Sequence, residues 1–184
     1  MQHVTRYIAF LRAINVGGHV VKMDRLRRLF EQLGFSSVET FIASGNVIFE
    51  SASTAAAAHE KKIVKLLGES LGFDVATFLR SDVELDRIAG HRPFPAVDHA
   101  EEGKSMYVGF LRAKPDAGAR SRLLKLRTPE DAFHVHDREV FWQRRGGFSD
   151  SIYTSAFLEK TLGTPATFRN VTTVRKLAAK YRPA

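Results

Sequence analysis

The chain has 184 residues, 44% of them hydrophobic and 26% charged, the composition of a folded protein of one domain or two small ones. It contains no cysteine, which excludes disulfides, iron–sulfur clusters, thiolate zinc sites and a cysteine nucleophile. The formal net charge is +8, weighted to the second half, where no acidic side chain follows Glu159.

Such a balance suits anionic partners, either nucleic acid or a phosphorylated small molecule, and it also serves solubility alone. No apolar run approaches the ~18 residues of a membrane span. The short run Tyr7–Leu11 is too brief for a signal-peptide core. A bacterial, cytoplasmic protein without membrane attachment is expected.

In chain order, "VTRYIAFL" at 4–11 is rich in β-branched and aromatic residues and reads as a strand. Met23, Leu26, Leu29, Phe30 and Leu33 then form an apolar stripe at helical spacing. Strands follow in "VETFIAS" (38–44) and "NVIFES" (46–51), with Ser44-Gly45-Asn46 as a tight turn between them. Ile63, Leu66, Leu67 and Leu71 mark a second helix, and "DVATFLR" (74–80) a fourth strand. Ser81 and Glu84 have the spacing of a capping box that opens a helix at about 82–90.

The pattern then repeats. "YIAFLRA" at 7–13 returns as "YVGFLRA" at 107–113. "LFEQLGF", "LGESLGF" and "LEKTLGT" share Leu-x-x-x-Leu-Gly, so Gly34, Gly72 and Gly163 mark three helix ends. "VATFLRS" and "PATFRN" share Ala-Thr-Phe and then arginine.

The second copy reads as strand 105–111, helix 116–126, hairpin 132–144, helix 154–162, strand 165–169 and helix 171–181, with Asn170 capping the last. The expected fold is therefore α+β: two tandem ferredoxin-like βαββαβ modules with antiparallel sheets, each followed by an extra helix. The expected boundaries are 1–91 and 105–184, with 92–104 as linker.

This topology places the loop after the first strand beside the turn between the second and third. Arg12, Asn15, Gly17 and Gly18 are thereby expected near Ser44, Gly45 and Asn46. A guanidinium, amides and glycine-exposed N–H groups beside a helix N-terminus suit an anion; two ordinary turns would look the same. At the start of the last helix, Arg169, Asn170, Thr173 and Lys176 present the same choice between phosphate and capping. No cofactor motif is present, since "VGGHVVKM" lacks dinucleotide or Walker spacing.

"LRAINVGG", "SGNVIF" and "PATFRNVTTVRKL" resemble the signature segments of the domain of unknown function 1697 family, which is mainly bacterial. The resemblance implies a duplicated α+β fold related to the ferredoxin-like unit, and it brings no activity or cofactor with it. Its motif positions here are Arg12, Asn15, Gly17, Gly18, Ser44, Gly45, Asn46, Arg169, Asn170, Thr173 and Lys176. The chain departs from the pattern at Ala13, where a glycine is expected, and at Val171, where an aromatic is expected.

His134 and His136 share one face of a strand, but a metal site needs a third or fourth ligand and none is recognisable, so no metal is expected. Arg144 and Arg145 lead into Gly146-Gly147, by default a solvated loop able to touch phosphate. Phe133, Phe141 and Trp142 are read as core or module interface. No catalytic constellation stands out. Anion binding at the Arg12–Asn46 edge is the leading expectation; an enzyme acting on a phosphorylated or carboxylated small molecule, or a protein-interaction module, stays open.

Overall fold

A computed structural model describes residues 4–15, 18–42, 45–94 and 103–183. These divide into two compact units: one runs up to Asp86 and takes in the segment from Leu177 onward, and the other is Arg87–Lys176.

The first unit contains β1 (Thr5–Leu11), α1 (Met23–Gln32), β2 (Ser36–Thr40), β3 (Asn46–Ser51), α2 (Ala56–Leu71) and β4 (Thr77–Ser81). Its sheet has the order β2-β3-β1-β4 with every pair antiparallel. Each helix therefore carries the chain over one intervening strand, α1 over β3 and α2 over β1, which is the ferredoxin-like βαββαβ plan.

Alternate residues of β1 (Tyr7, Ala9 and Leu11) join Phe49 and Leu79 against Leu26, Phe30, Ile63 and Leu67 of the two helices. Each large side chain removed from water in this way contributes about 1.5–3 kcal/mol.

The second unit repeats the plan with β5 (Lys104–Leu111), α4 (Ala117–Leu124), β6 (Asp131–His136), β7 (Glu139–Arg145), α5 (Ser155–Leu162) and β8 (Ala166–Asn170). Its order, β6-β7-β5-β8, matches the first sheet position for position. The core holds Tyr107, Leu111, Leu123, Phe133, Trp142 and Leu158. Trp142 is fully buried, and its indole N–H donates to Asp131 Oδ1 at 2.7 Å, as a buried indole requires. Two further helices follow the modules, α3 (Asp82–Gly90) and α6 (Val171–Lys180).

Local signals held where side chains act on their own backbone. Ser81 N–H donates to Glu84 Oε2 at 2.8 Å and Glu84 N–H to Ser81 Oγ at 3.2 Å, completing the capping box. Gly72 and Gly163 take the left-handed conformation at their helix ends. Asn170 Oδ1 accepts from Thr172 N–H at 2.8 Å.

Two expectations need correction. β2 ends at Thr40, short of the strand expected to run to residue 44. Phe41 N–H instead closes a wider loop onto Asn46 O at 2.9 Å, and Ile42 inside it has a φ of 50°.

The Ala-Thr-Phe echo is also out of step. Ile8 pairs with Arg80 and Val108 with Arg169, so the arginines correspond and the Phe positions differ by one. A one-residue slip on a strand turns a side chain to the other face. Phe168 thus packs on the second unit's helix-side core, as Leu79 does in the first, whereas Phe78 alternates to the opposite face.

Candidate functional site

In the first unit the expected meeting of two loops takes place. Leu11 N–H donates to Gly45 O at 2.8 Å and Arg12 N–H to Ala76 O at 2.8 Å, so the exit of β1 is tied to the turn before β3 and to the approach of β4. Gly45 is confined there. Its φ is +74°, and an added Cβ would stand 2.5 Å from Ile14 Cγ2.

The two asparagines serve these turns. Asn15 Oδ1 accepts from Val21 N–H at 2.7 Å, and Asn46, fully buried, donates from Nδ2 to Phe41 O at 3.0 Å. Arg12 is half-buried and Gly18 exposed with a φ of +88°. Gly17 and Ser44 lie outside the described residues.

Among the described residues of the second unit, two clefts open side by side and share part of their lining. One, about 720 Å³, is lined by Lys104, Arg127, Glu130, Asp131, His134 and Arg144 among others. The other, about 230 Å³, lies at the start of α6 and is lined by Asn170, Thr172, Arg175 and Lys104 among others. Lys104 and Gln143 belong to both.

Strand pairing explains the sharing, because Lys104 opens β5 beside the end of β7. Arg144 is buried rather than solvated. One guanidinium N–H donates to Gly147 O at 2.9 Å, its Nε lies 3.7 Å from Asp131 Oδ1, and that Nε has no hydrogen-bond acceptor. Burial, and then the charge of Arg92, lowers the Arg175 pKa, a like-charge neighbourhood that an anion would relieve.

Of the four tail residues, Asn170 lines the smaller cleft. Arg169 donates to Thr167 Oγ1 at 2.8 Å and to Phe168 O at 3.0 Å, and burial brings its pKa down to about 10. Arg80 repeats that habit in the first unit, donating to Leu79 O at 2.7 Å. Thr173 is half-buried and Lys176 exposed. Val171, at the position expected to be aromatic, also lines the smaller cleft.

A third grouping was not visible from sequence. His91, just beyond α3, joins His134 and His136, with ligand-capable atoms of the three all within 4.8 Å of one another. The rings of His91 and His136 stack at 4.3 Å, and His91 also lies 4.8 Å from the Phe141 ring. Nε2 of His91 is buried without a hydrogen-bond partner. Burial, then His136, His134 and Arg92, holds His91 below the ordinary imidazole pKa; burial, then His136 and Arg120, does the same to His134.

Among the described residues no helix is long and apolar enough to cross a membrane. The fold has a solved counterpart. A conserved bacterial protein from Streptococcus pneumoniae matches at a TM-score of 0.77 over 98% of this chain and 100% of that one. The two share 23% sequence identity, so the likeness is one of fold. No curated protein matches the chain.

A family model, described as a protein of unknown function, covers residues 4–141, a span that holds "LRAINVGG" and "SGNVIF" and stops short of the tail motif. With three-quarters of its length so matched, the chain belongs to the DUF1697 family.

Proposed function

We propose that the protein binds an anionic, phosphate-bearing ligand in the basic clefts of the second unit. One observation carries the reading: two clefts that share Lys104 and Gln143 bring Lys104, Arg127, Arg144 and Arg175 to one surface, with the start of α6 and its cap Asn170 beside them. Guanidinium groups offer planar forks to phosphate, and the helix start adds a partial positive charge. Glu130 and Asp131 also line the larger cleft, and Asp131 is already engaged by Trp142 and by Arg144 at 3.7 Å.

The Arg12 edge of the first unit is the second reading, favoured by the backbone bonds that gather Arg12, Gly45 and Ala76.

Thermal unfolding with nucleotides, phosphosugars and a short labelled oligonucleotide tests both readings. A ligand at 100 times its Kd adds about 2.7 kcal/mol of stability. The response is expected to vanish in Lys104→Ala/Arg175→Ala and persist in Arg12→Ala. The reverse pattern moves the site to the loop edge. A wild-type protein indifferent to every phosphorylated ligand ends the anion reading. Oligonucleotide binding that weakens steeply with salt would identify the partner as nucleic acid.

A further inference from the structure

We infer that His91, His134 and His136 form a binding site for a divalent transition-metal ion of the zinc type, held by three imidazoles with a fourth position open. The inference stands on the histidine geometry and is independent of the anion reading.

Two of the ligands are placed by strand periodicity. β6 pairs with β7 along its length, so His134 and His136 share one face while Phe133 and Val135 fill the core on the other. The third comes from a separate element. His91 N–H donates to Ile88 O at 3.2 Å, which fixes its backbone at the end of α3. Ligand-capable atoms of the three then converge within 4.8 Å, with the Phe141 ring beside His91 and His134.

A tetrahedral zinc ion with bonds of about 2.0–2.1 Å sets its nitrogens about 3.4 Å apart, so the rings need to close by a little over an ångström. His136 is exposed and can turn out of its stack on His91. The His91 Nε2 supplies the second sign of a ligand, because a buried ring nitrogen without a partner costs free energy that a metal bond would remove.

The donor set selects the metal class. Three imidazole donors and no carboxylate suit zinc, copper, nickel or cobalt over magnesium or calcium. Arg92 and Arg120 act electrostatically on His91 and His134, so they oppose a bare cation and favour an anionic fourth ligand. His134 also lines the larger cleft.

The test uses the whole chain without a polyhistidine tag. Cobalt(II) chloride is titrated by its visible absorption and zinc(II) chloride by calorimetry. One ion per chain is expected. His91→Gln and His136→Gln should each weaken binding at least about tenfold, and His19→Gln, an exposed histidine elsewhere, should leave it unchanged.

Should a variant fail to fold by circular dichroism, cobalt-induced broadening of imidazole resonances in the wild type decides. Broadening confined to these three rings supports the site. Broadening elsewhere, no saturation at one equivalent, or binding undiminished in both variants overturns it.

Discussion

Phe168 lies directly over Gly109, so close that a Cβ at position 109 would stand 2.5 Å from the ring carbon Cε1. The two are strand neighbours in the second unit, and the corresponding pair in the first is Ala9 opposite Leu79. The larger residue on one strand is matched by the smaller on the next. Gly109→Ala should cost about 1–3 kcal/mol, as overpacking does. Adding Phe168→Leu recreates the first unit's pair and should recover most of that loss. Urea unfolding of the two single variants and the double measures the coupling.

Asp131 should prove essential to the second core. Its carboxylate accepts the Trp142 indole N–H at 2.7 Å and lies 3.7 Å from the buried Arg144 Nε. Asp131→Ala orphans the indole donor and leaves the buried Arg144 guanidinium without its ion-pair partner, so it should destabilise by about 2–4 kcal/mol, an unmatched buried donor alone costing about 1–3. Asp131→Asn keeps an acceptor and should cost visibly less. Chemical unfolding followed by Trp142 fluorescence reads both.

Acid should weaken the first unit through two glutamates. The Ser37 hydroxyl first, then the Arg6 guanidinium, hold the Glu50 pKa below its ordinary value; the Tyr181 hydroxyl, then Lys180, do so for Glu39. A depressed folded pKa means stability that is present above the unfolded carboxylate value and is lost as pH falls through the folded one. Both groups keep contact with solvent, so each contribution is below about 1 kcal/mol. Glu50→Gln should lower the urea midpoint at pH 6 and converge with wild type near pH 3. A constant gap at both pH values would contradict the assignment.

Ala13 sits at a φ of 55°, in the left-handed region that favours glycine. A left-handed alanine costs about 1–2 kcal/mol, and glycine's greater freedom in the unfolded chain returns about 0.4–1 of that. Ala13→Gly should therefore stabilise by about 0.5–1 kcal/mol, measurable as a rise in thermal midpoint.

The element order was legible because its signals are local: glycine at helix ends, the Ser81–Glu84 box, the Asn170 cap, and the repeated strand opening at Tyr7 and Tyr107. The misread features depend on partners far along the chain. Matching letters aligned Phe78 with Phe168, whereas strand pairing aligns Arg80 with Arg169.

Nothing near His91 announces a ligand; only the fold sets it beside the β6 histidines. The cleft was scattered likewise, Lys104 opening β5, Arg127 preceding β6 and Arg175 lying in α6. Its advance signs were the charge surplus of the second half, Arg144 before a loop able to touch phosphate, and Asn170 at the start of the last helix.

The first unit closes with the chain's last described helix. Glu39 on β2 accepts from Tyr181 at 2.7 Å and from Lys180 at 2.9 Å, and the segment from Leu177 onward belongs with the residues before Asp86. A ribosome must therefore translate the whole of the second unit before the first receives its final piece. At bacterial and eukaryotic rates that delay is roughly 5–20 seconds. During it the Glu39 strand waits on the sheet edge, and the nascent second unit has time to fold ahead of the first one's completion.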